Sequence, residues 1–258
     1  MGNVTYTLDA HVATIVLSNE GRFNAMSLAM WQQLATLLGE LKNNAAVRAV
    51  VLRGEGDRAF VSGADISEFG EQRNSPAGVV AYDRAVDEAQ TALAGFPHPV
   101  IAAISGICYG GGLGLALACD IRYASKTAKF RMPAARLGLG YSLKGVKRMV
   151  DVLGVAHASE LFYTARVCDA QDALKIGLVS SVQDDCFFHA AQTAAQISAN
   201  APLTIAAAKL AFLTVLAGSS NADAEKVALA VKTCFESQDY TEGRQAFAEK
   251  RPPLFKSC

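Results

Sequence analysis

Apolar positions alternate through the first seventeen residues and then switch to helical spacing. Val4-Thr-Tyr-Thr-Leu8 and Val12-Ala-Thr-Ile-Val-Leu17 are rich in β-branched residues, and Asp9-Ala-His11 between them can turn, so the pattern predicts a hairpin. From Ser27, a capping residue, Leu28, Trp31, Leu34, Leu38 and Leu41 fall on one stripe and predict a helix to about Lys42. A buried strand follows at 47–52, closed by Gly54 and Gly56. The segment 70–78 opens on residues that read as mobile and is expected to line a pocket; a long helix around 77–95 follows. Then come a strand at 99–104, an apolar helix at 113–119 and short strands at 120–124 and 128–131. Beyond residue 142 the pattern is helical, with a last short strand ending at Ser181-Val182. Helices are expected at 184–199, 202–217 and 221–236, with a terminal piece at 239–249. Repeated strand–strand–helix units before a helical C-terminus argue for an α/β fold with short parallel strands.

Composition narrows the functional classes. Apolar residues make up 51% and charged residues 19%, enough for a sizeable core. The formal net charge is zero and like charges form no block, so neither nucleic acid nor a membrane surface is indicated. Apolar runs break before membrane-spanning length, and the N-terminus lacks a leader pattern, so a cytoplasmic location is expected. Six scattered cysteines without a C-x-x-C pair read as reduced core residues. The four histidines form no ligand-spaced cluster, so no metal is expected.

Two segments carry candidate chemistry: Phe60-Val-Ser-Gly-Ala-Asp-Ile-Ser-Glu-Phe69 and Ser105-Gly-Ile-Cys-Tyr-Gly-Gly-Gly-Leu-Gly114. Small residues after a strand, and a glycine run before a helix, allow backbone N–H groups to approach a carbonyl closely. A helix N-terminus at the second segment would favour negative charge. Two fixed donors of this kind can stabilise an oxyanion; losing one costs roughly 2.7–4 kcal/mol in known cases. Pattern alone leaves a flexible turn and a simple helix cap as alternatives.

The chain strongly resembles the crotonase superfamily, the enoyl-CoA hydratase/isomerase family. The resemblance runs over nearly the whole chain, through Arg22-Phe-Asn-Ala-Met26, Phe60–Phe69, Ile101–Cys119, Gly177-Leu-Val179 and Phe247-Ala-Glu-Lys-Arg251. It implies a spiral of ββα units over 1–200 and a helical trimerisation region over 201–258. It implies oxyanion donors from the N–H groups of Ala64 and Gly111, and coenzyme A contacts near Arg22, Ala25, Ser62 and Ala64. Phe247 and Lys250, from a neighbouring subunit, would complete the nucleotide pocket. The partners implied are an acyl-CoA thioester and further copies of the chain, as a homotrimer or dimer of trimers. No cofactor is implied beyond the coenzyme A of the substrate.

The departures from that pattern bear on the reaction. A typical hydratase has one glutamate two residues after the triple glycine and another after the proline of F-x-x-P-E. This chain has Gly114 and Ala134 there, and neither can move a proton. Tyr141, within Leu137-Gly-Leu-Gly-Tyr-Ser-Leu-Lys-Gly-Val146, resembles a tyrosine that faces the leaving carboxylate in methylmalonyl-CoA decarboxylases. The match is partial, because that group has a histidine where this chain has Ala64. Glu68 is the other candidate, as a base one helical turn beyond Ala64 or as a solvated helix-face or capping glutamate. Arg136 and Lys144 flank Tyr141 and could meet a carboxylated acyl group or lie on the surface. Asp65 is expected to cap a short helix, Asp120 to bond a strand end, and His98 to be structural. The implied activities are enolate stabilisation by an acyl-CoA lyase, decarboxylation of a malonyl-type thioester, or binding of a CoA thioester without turnover.

Overall fold

A computed structural model describes residues 2–68, 75–218 and 220–256. Residues 70–74 of the expected pocket-lining segment lie outside the described residues. The predicted hairpin forms from β1 (Asn3–Asp9) and β2 (Val12–Ser18), paired antiparallel from Asn3↔Ser18 to Asp9↔Val12. β3 (Ala49–Gly54), β5 (Val100–Ile104), β7 (Ile121–Ser125) and β10 (Ser181–Gln183) complete a sheet ordered β1-β2-β3-β5-β7-β10. Every pairing after the hairpin is parallel. A second sheet holds β4 (Ala59–Val61), β6 (Ile107–Tyr109), β8 (Lys129–Arg131) and β9 (Cys168–Asp169), in that order.

Each of β3, β5 and β7 is thus followed by a short strand of the other sheet and then by helical structure, which is the repeating unit expected. Sharp corners make this possible. At Gly106 φ is +63°, and a Cβ there would lie 2.0 Å from the Arg58 carbonyl oxygen, so only glycine turns the chain from β5 into β6. β6 and β9 were not expected; strands of two and three residues are too short for alternation to register. The strand expected at 47–52 lies two residues later.

The helices are α1 (Leu28–Leu41), α2 (Pro76–Ala94), α3 (Gly111–Ala118), α4 (Ala134–Leu137), α5 (Leu143–Thr164), α6 (Ala170–Lys175), α7 (Cys186–Ser198), α8 (Pro202–Ala217), α9 (Asn221–Glu236) and α10 (Gln238–Glu249). Ser27 caps α1 by accepting from Met30 N, and Ser75 caps α2 with proline following it. The α1 stripe Met30, Trp31, Leu34, Leu38 and Leu41 is buried in the main core, packed chiefly against α2. α3 is apolar on all sides because it is enclosed on all sides. No single helix among the described residues is long and apolar enough to cross a membrane.

α8 is tied to the large sheet by a buried lysine. Lys209 Nζ donates to Asp120 Oδ2 at 2.7 Å and to the His98 carbonyl at 2.9 Å, while Val100 N donates to the same Asp120 oxygen at 2.7 Å. Asp120 therefore bonds a strand end as expected, with a cation that the sequence did not indicate. Burial, with Lys209 and Arg48 nearby, lowers the His98 pKa. Beyond α8 the surface is unusually apolar. Phe212, Phe235, Leu229 and Phe247 are exposed, and a groove of about 690 Å³ runs between α8, α9 and α10.

Candidate active site

β4 and β6 are parallel neighbours, so the segments leaving them emerge at one edge of the small sheet. That register brings Ala64 and Gly111 together although 46 residues separate them. A Cβ built on Gly111 would lie 3.9 Å from Ala64 N, and one built on Gly110 would lie 4.0 Å from the Gly63 Cα. Gly110 has φ 51° and ψ −114°, a backbone state essentially closed to other residues, and it turns the chain from β6 into α3, which begins at Gly111. Among the described residues neither Ala64 N–H nor Gly111 N–H donates to any group. Two adjacent free donors at a helix N-terminus form a geometry suited to an oxyanion.

The donors are held from behind. A Cβ on Gly112 would lie 2.2 Å from the Val61 carbonyl oxygen, so α3 sits directly on β4. The Trp31 ring lies under Gly111, its Nε1 donates to Tyr82 Oη at 3.2 Å, and Tyr82 Oη donates to the Met26 carbonyl at 3.1 Å. The segment Arg22–Met26 is stitched to the first donor loop. Met26 N donates to Gly63 O at 2.8 Å, Asp65 N to Met26 O at 2.9 Å, and Ser62 N to Phe23 O at 3.1 Å. Ser62 Oγ donates to the Arg22 carbonyl. Arg22, Ala25, Ser62 and Ala64, expected to touch coenzyme A, therefore form one continuous rim.

Asp65 is the buried centre of that rim. It accepts from Arg22 Nη1 at 2.8 Å, from Ser67 N at 3.1 Å and from Ser67 Oγ at 2.7 Å; Arg22 also reaches Ser67 Oγ. Burial pushes its pKa up, but the Ser67 hydroxyl and N–H and the Arg22 cation outweigh burial and hold it below the usual carboxylate range.

Of the two proton-handling candidates, Glu68 is engaged elsewhere: its Oε2 accepts from Leu28 N, the first N–H of α1, at 2.9 Å. That is the helix-capping role weighed against a base role in the sequence. Tyr141 lies partly buried with its ring against the backbone of Gly145 and edge-on to Phe162, centroids 5.5 Å apart. Among the described residues its hydroxyl makes no hydrogen bond. Burial pushes its pKa up to about 12, with Arg148 pulling the other way, so the hydroxyl is protonated at neutral pH. Arg136 is exposed, and Lys144 pairs with Asp87 at 2.7 Å. Ala134 is buried and contributes no polar side-chain atom.

Two side chains at the missing glutamate were not foreseen. A Cβ on Gly114 would lie 2.4 Å from Gln90 Nε2, and Arg148 Nη1 donates to Gln90 Oε1 at 2.9 Å. The sequence signal was available, since Gln90 interrupts the apolar stripe Tyr82, Ala85, Ala89 and Leu93 of α2. Phe247 and Lys250 are not brought to the donors: both sit at the end of α10, with Phe247 88% exposed.

Two sheets wound through ββα units, with paired backbone donors at one edge, define the crotonase class of α/β proteins. The model of the family described as enoyl-CoA hydratase/isomerase matches residues 7–258, and the chain belongs to that family. It is 32% identical to the short-chain-enoyl-CoA hydratase of Clostridium acetobutylicum, over 97% of this chain and 96% of that one. It is 34% identical to the mitochondrial methylglutaconyl-CoA hydratase of Rattus norvegicus, over 90% and 75%. Among solved structures, an enoyl-CoA hydratase/carnithine racemase from Magnetospirillum magneticum superposes with a TM-score of 0.92 at 34% identity, covering 99% and 96% of the two chains. An enoyl-CoA hydratase from Bacillus anthracis superposes at 0.93 with 32% identity, covering 99% and 100%.

Proposed function

We propose that the chain is an acyl-CoA lyase that holds a thioester carbonyl between the N–H groups of Ala64 and Gly111 and stabilises the enolate formed there. The single observation carrying this is the adjacency of those two unused donors at the N-terminus of α3. The names of the relatives support an acyl-CoA substrate. The rim from Arg22 to Met26, fastened to the donor loop, is the place where coenzyme A would lie.

The side chains favour decarboxylation of a malonyl-type thioester over hydration. Adding water to a 2-enoyl group needs a base and an acid in position, and positions 114 and 134 carry neither. Decarboxylation needs less. The bond from the α-carbon to the carboxylate breaks, carbon dioxide leaves, and the electron pair passes into the thioester enolate held by the two N–H donors. Solvent then returns a proton to the α-carbon. Tyr141, protonated at neutral pH and partly buried, can contact the carboxylate and exclude water from it. The hydratase names of the relatives favour the alternative, with Glu68 as the first carboxylate to test. The exposed apolar surface of α8, α9 and α10 supports assembly with further copies, which would bring Phe247 and Lys250 of a neighbour toward the nucleotide.

A turnover screen by mass spectrometry tests these readings. The substrates are crotonyl-CoA, longer 2-enoyl-CoAs, and malonyl-, methylmalonyl- and ethylmalonyl-CoA. Loss of carbon dioxide, reduced at least tenfold by Tyr141→Phe, is expected. A product heavier by one water, abolished by Glu68→Gln, would overturn the decarboxylase assignment and leave the enolate site standing. Binding of several thioesters with no turnover of any would leave a binding protein.

A further inference from the structure

One turn along α3 from the second N–H donor, an amide occupies the place where a side chain from Gly114 would otherwise project. Gln90 is 5% exposed, and its carboxamide covers Gly114: a Cβ there would lie 2.4 Å from Nε2 and 3.2 Å from Cδ. Arg148 donates to Gln90 Oε1 at 2.9 Å and, through Nη2, to Thr91 Oγ1 at 3.3 Å. A guanidinium has donors and no acceptor. The oxygen end of the amide must therefore face Arg148, and the NH2 end must face Gly114. Among the described residues that NH2 has no acceptor. Gly111 and Gly114 are one turn apart on the same face of α3, a separation of about 5–6 Å at the side-chain positions. With a hydrogen bond of about 2.9 Å at each end, two acceptor oxygens on a three-carbon acyl group can reach donors at about that separation. Among the described residues, the donors along this stretch are the two backbone N–H groups and the Gln90 NH2, with the Arg148 cation behind it holding the two nearby acceptors, Gln90 Oε1 and Thr91 Oγ1.

We propose that Gln90, oriented by Arg148, is the specificity residue of the site, donating Nε2–H to a carboxylate on the acyl group while Ala64 and Gly111 hold the thioester oxygen. The substrate class is an acyl-CoA bearing a negatively charged oxygen beside the α-carbon. The assignment rests on the acyl-CoA reading of the site.

The test uses Trp31, the sole tryptophan, whose ring lies against Gly111. Its fluorescence is followed by stopped flow while the whole protein is mixed with malonyl-CoA or with butyryl-CoA, which lacks the carboxylate. The wild-type protein is expected to bind malonyl-CoA about tenfold more tightly, the worth of one hydrogen bond to a charged acceptor. Gln90→Leu removes the donor and is expected to bring the ratio to within about twofold. Gln90→Glu keeps the shape and the contact to Arg148, so it guards against misfolding of the leucine variant; it places a carboxylate against the ligand's and should invert the ratio. A wild-type ratio near one, or a ratio that Gln90→Glu leaves unchanged, overturns the role of Gln90 with the acyl-CoA site intact. Failure of both ligands to bind overturns the acyl-CoA reading itself.

Discussion

Gly112→Ala probes the packing that positions Gly111 N–H, the second donor of the proposed site. The added methyl carbon would meet the Val61 carbonyl oxygen at 2.2 Å and the Val61 Cβ at 2.8 Å. Ordinary contact for a Cβ begins at 3.4 Å, so α3 must retreat by about 1 Å, because β4 behind it is fixed in the small sheet. Overpacking of this kind costs about 1–3 kcal/mol of stability. In the proposed site, the same retreat would carry Gly111 N–H away from the thioester oxygen. A misplacement of about 1 Å can cost on the order of a hundredfold in rate, comparable with losing the donor outright. The expected outcome is a folded protein with a melting temperature several degrees lower and kcat on its best acyl-CoA reduced about a hundredfold. Gly39→Ala is the matched control. A Cβ there meets nothing within 4 Å, and Gly39 lies inside α1, far along the chain from the donors. It should gain about 0.5–1 kcal/mol from reduced backbone entropy and leave turnover unchanged. Wild-type turnover in Gly112→Ala at an unchanged melting temperature would refute the packing argument.

Other perturbations follow from the same contacts. Tyr141→Phe is expected to remove an alkaline instability. The folded pKa is raised to about 12 from about 10 in the unfolded chain, so the wild-type contribution is full below pH 10 and falls by up to about 2 kcal/mol between pH 10 and 12. Denaturant melts at pH 9 and 11.5, compared between wild type and variant, measure it. Asp65→Asn should destabilise the rim by about 1–2 kcal/mol, discounted because Arg22 is half exposed. Because the folded Asp65 pKa is lowered, its contribution is present above the ordinary carboxylate pKa and lost as pH falls through the lowered value, so acid melts of wild type and variant should converge. Lys209→Met should cost about 2–3 kcal/mol by leaving Asp120 without its cation, and adding Asp120→Asn should recover part of it in a double-mutant cycle.

Local pattern carried much of this fold. The hairpin, the Ser27 cap and the helices at 202–217 and 221–236 are governed by residues within a few positions of one another, and they formed where expected. The glycine run announced a place where backbone must approach something closely. The loss of glutamates at 114 and 134 was equally plain from the chain. Hidden were β6 and β9, whose strand character comes from neighbours in the small sheet and not from their own alternation.

Juxtaposition was decided by the tertiary structure alone. Ala64 N–H and Gly111 N–H are ordinary backbone groups until the parallel register of β4 and β6 sets them side by side. Glu68 could be a base or a cap in the sequence; the approach of Leu28 N gave its carboxylate to α1. Gln90 reads as one polar break in an apolar stripe, and its meaning came only when α2 packed it over a glycine with no side chain of its own. The physical reason is common to all three. Secondary structure is set by short-range sterics and hydrogen bonding along the chain, which the sequence writes directly. The direction in which a donor or carboxylate finally points is set by partners tens of residues away.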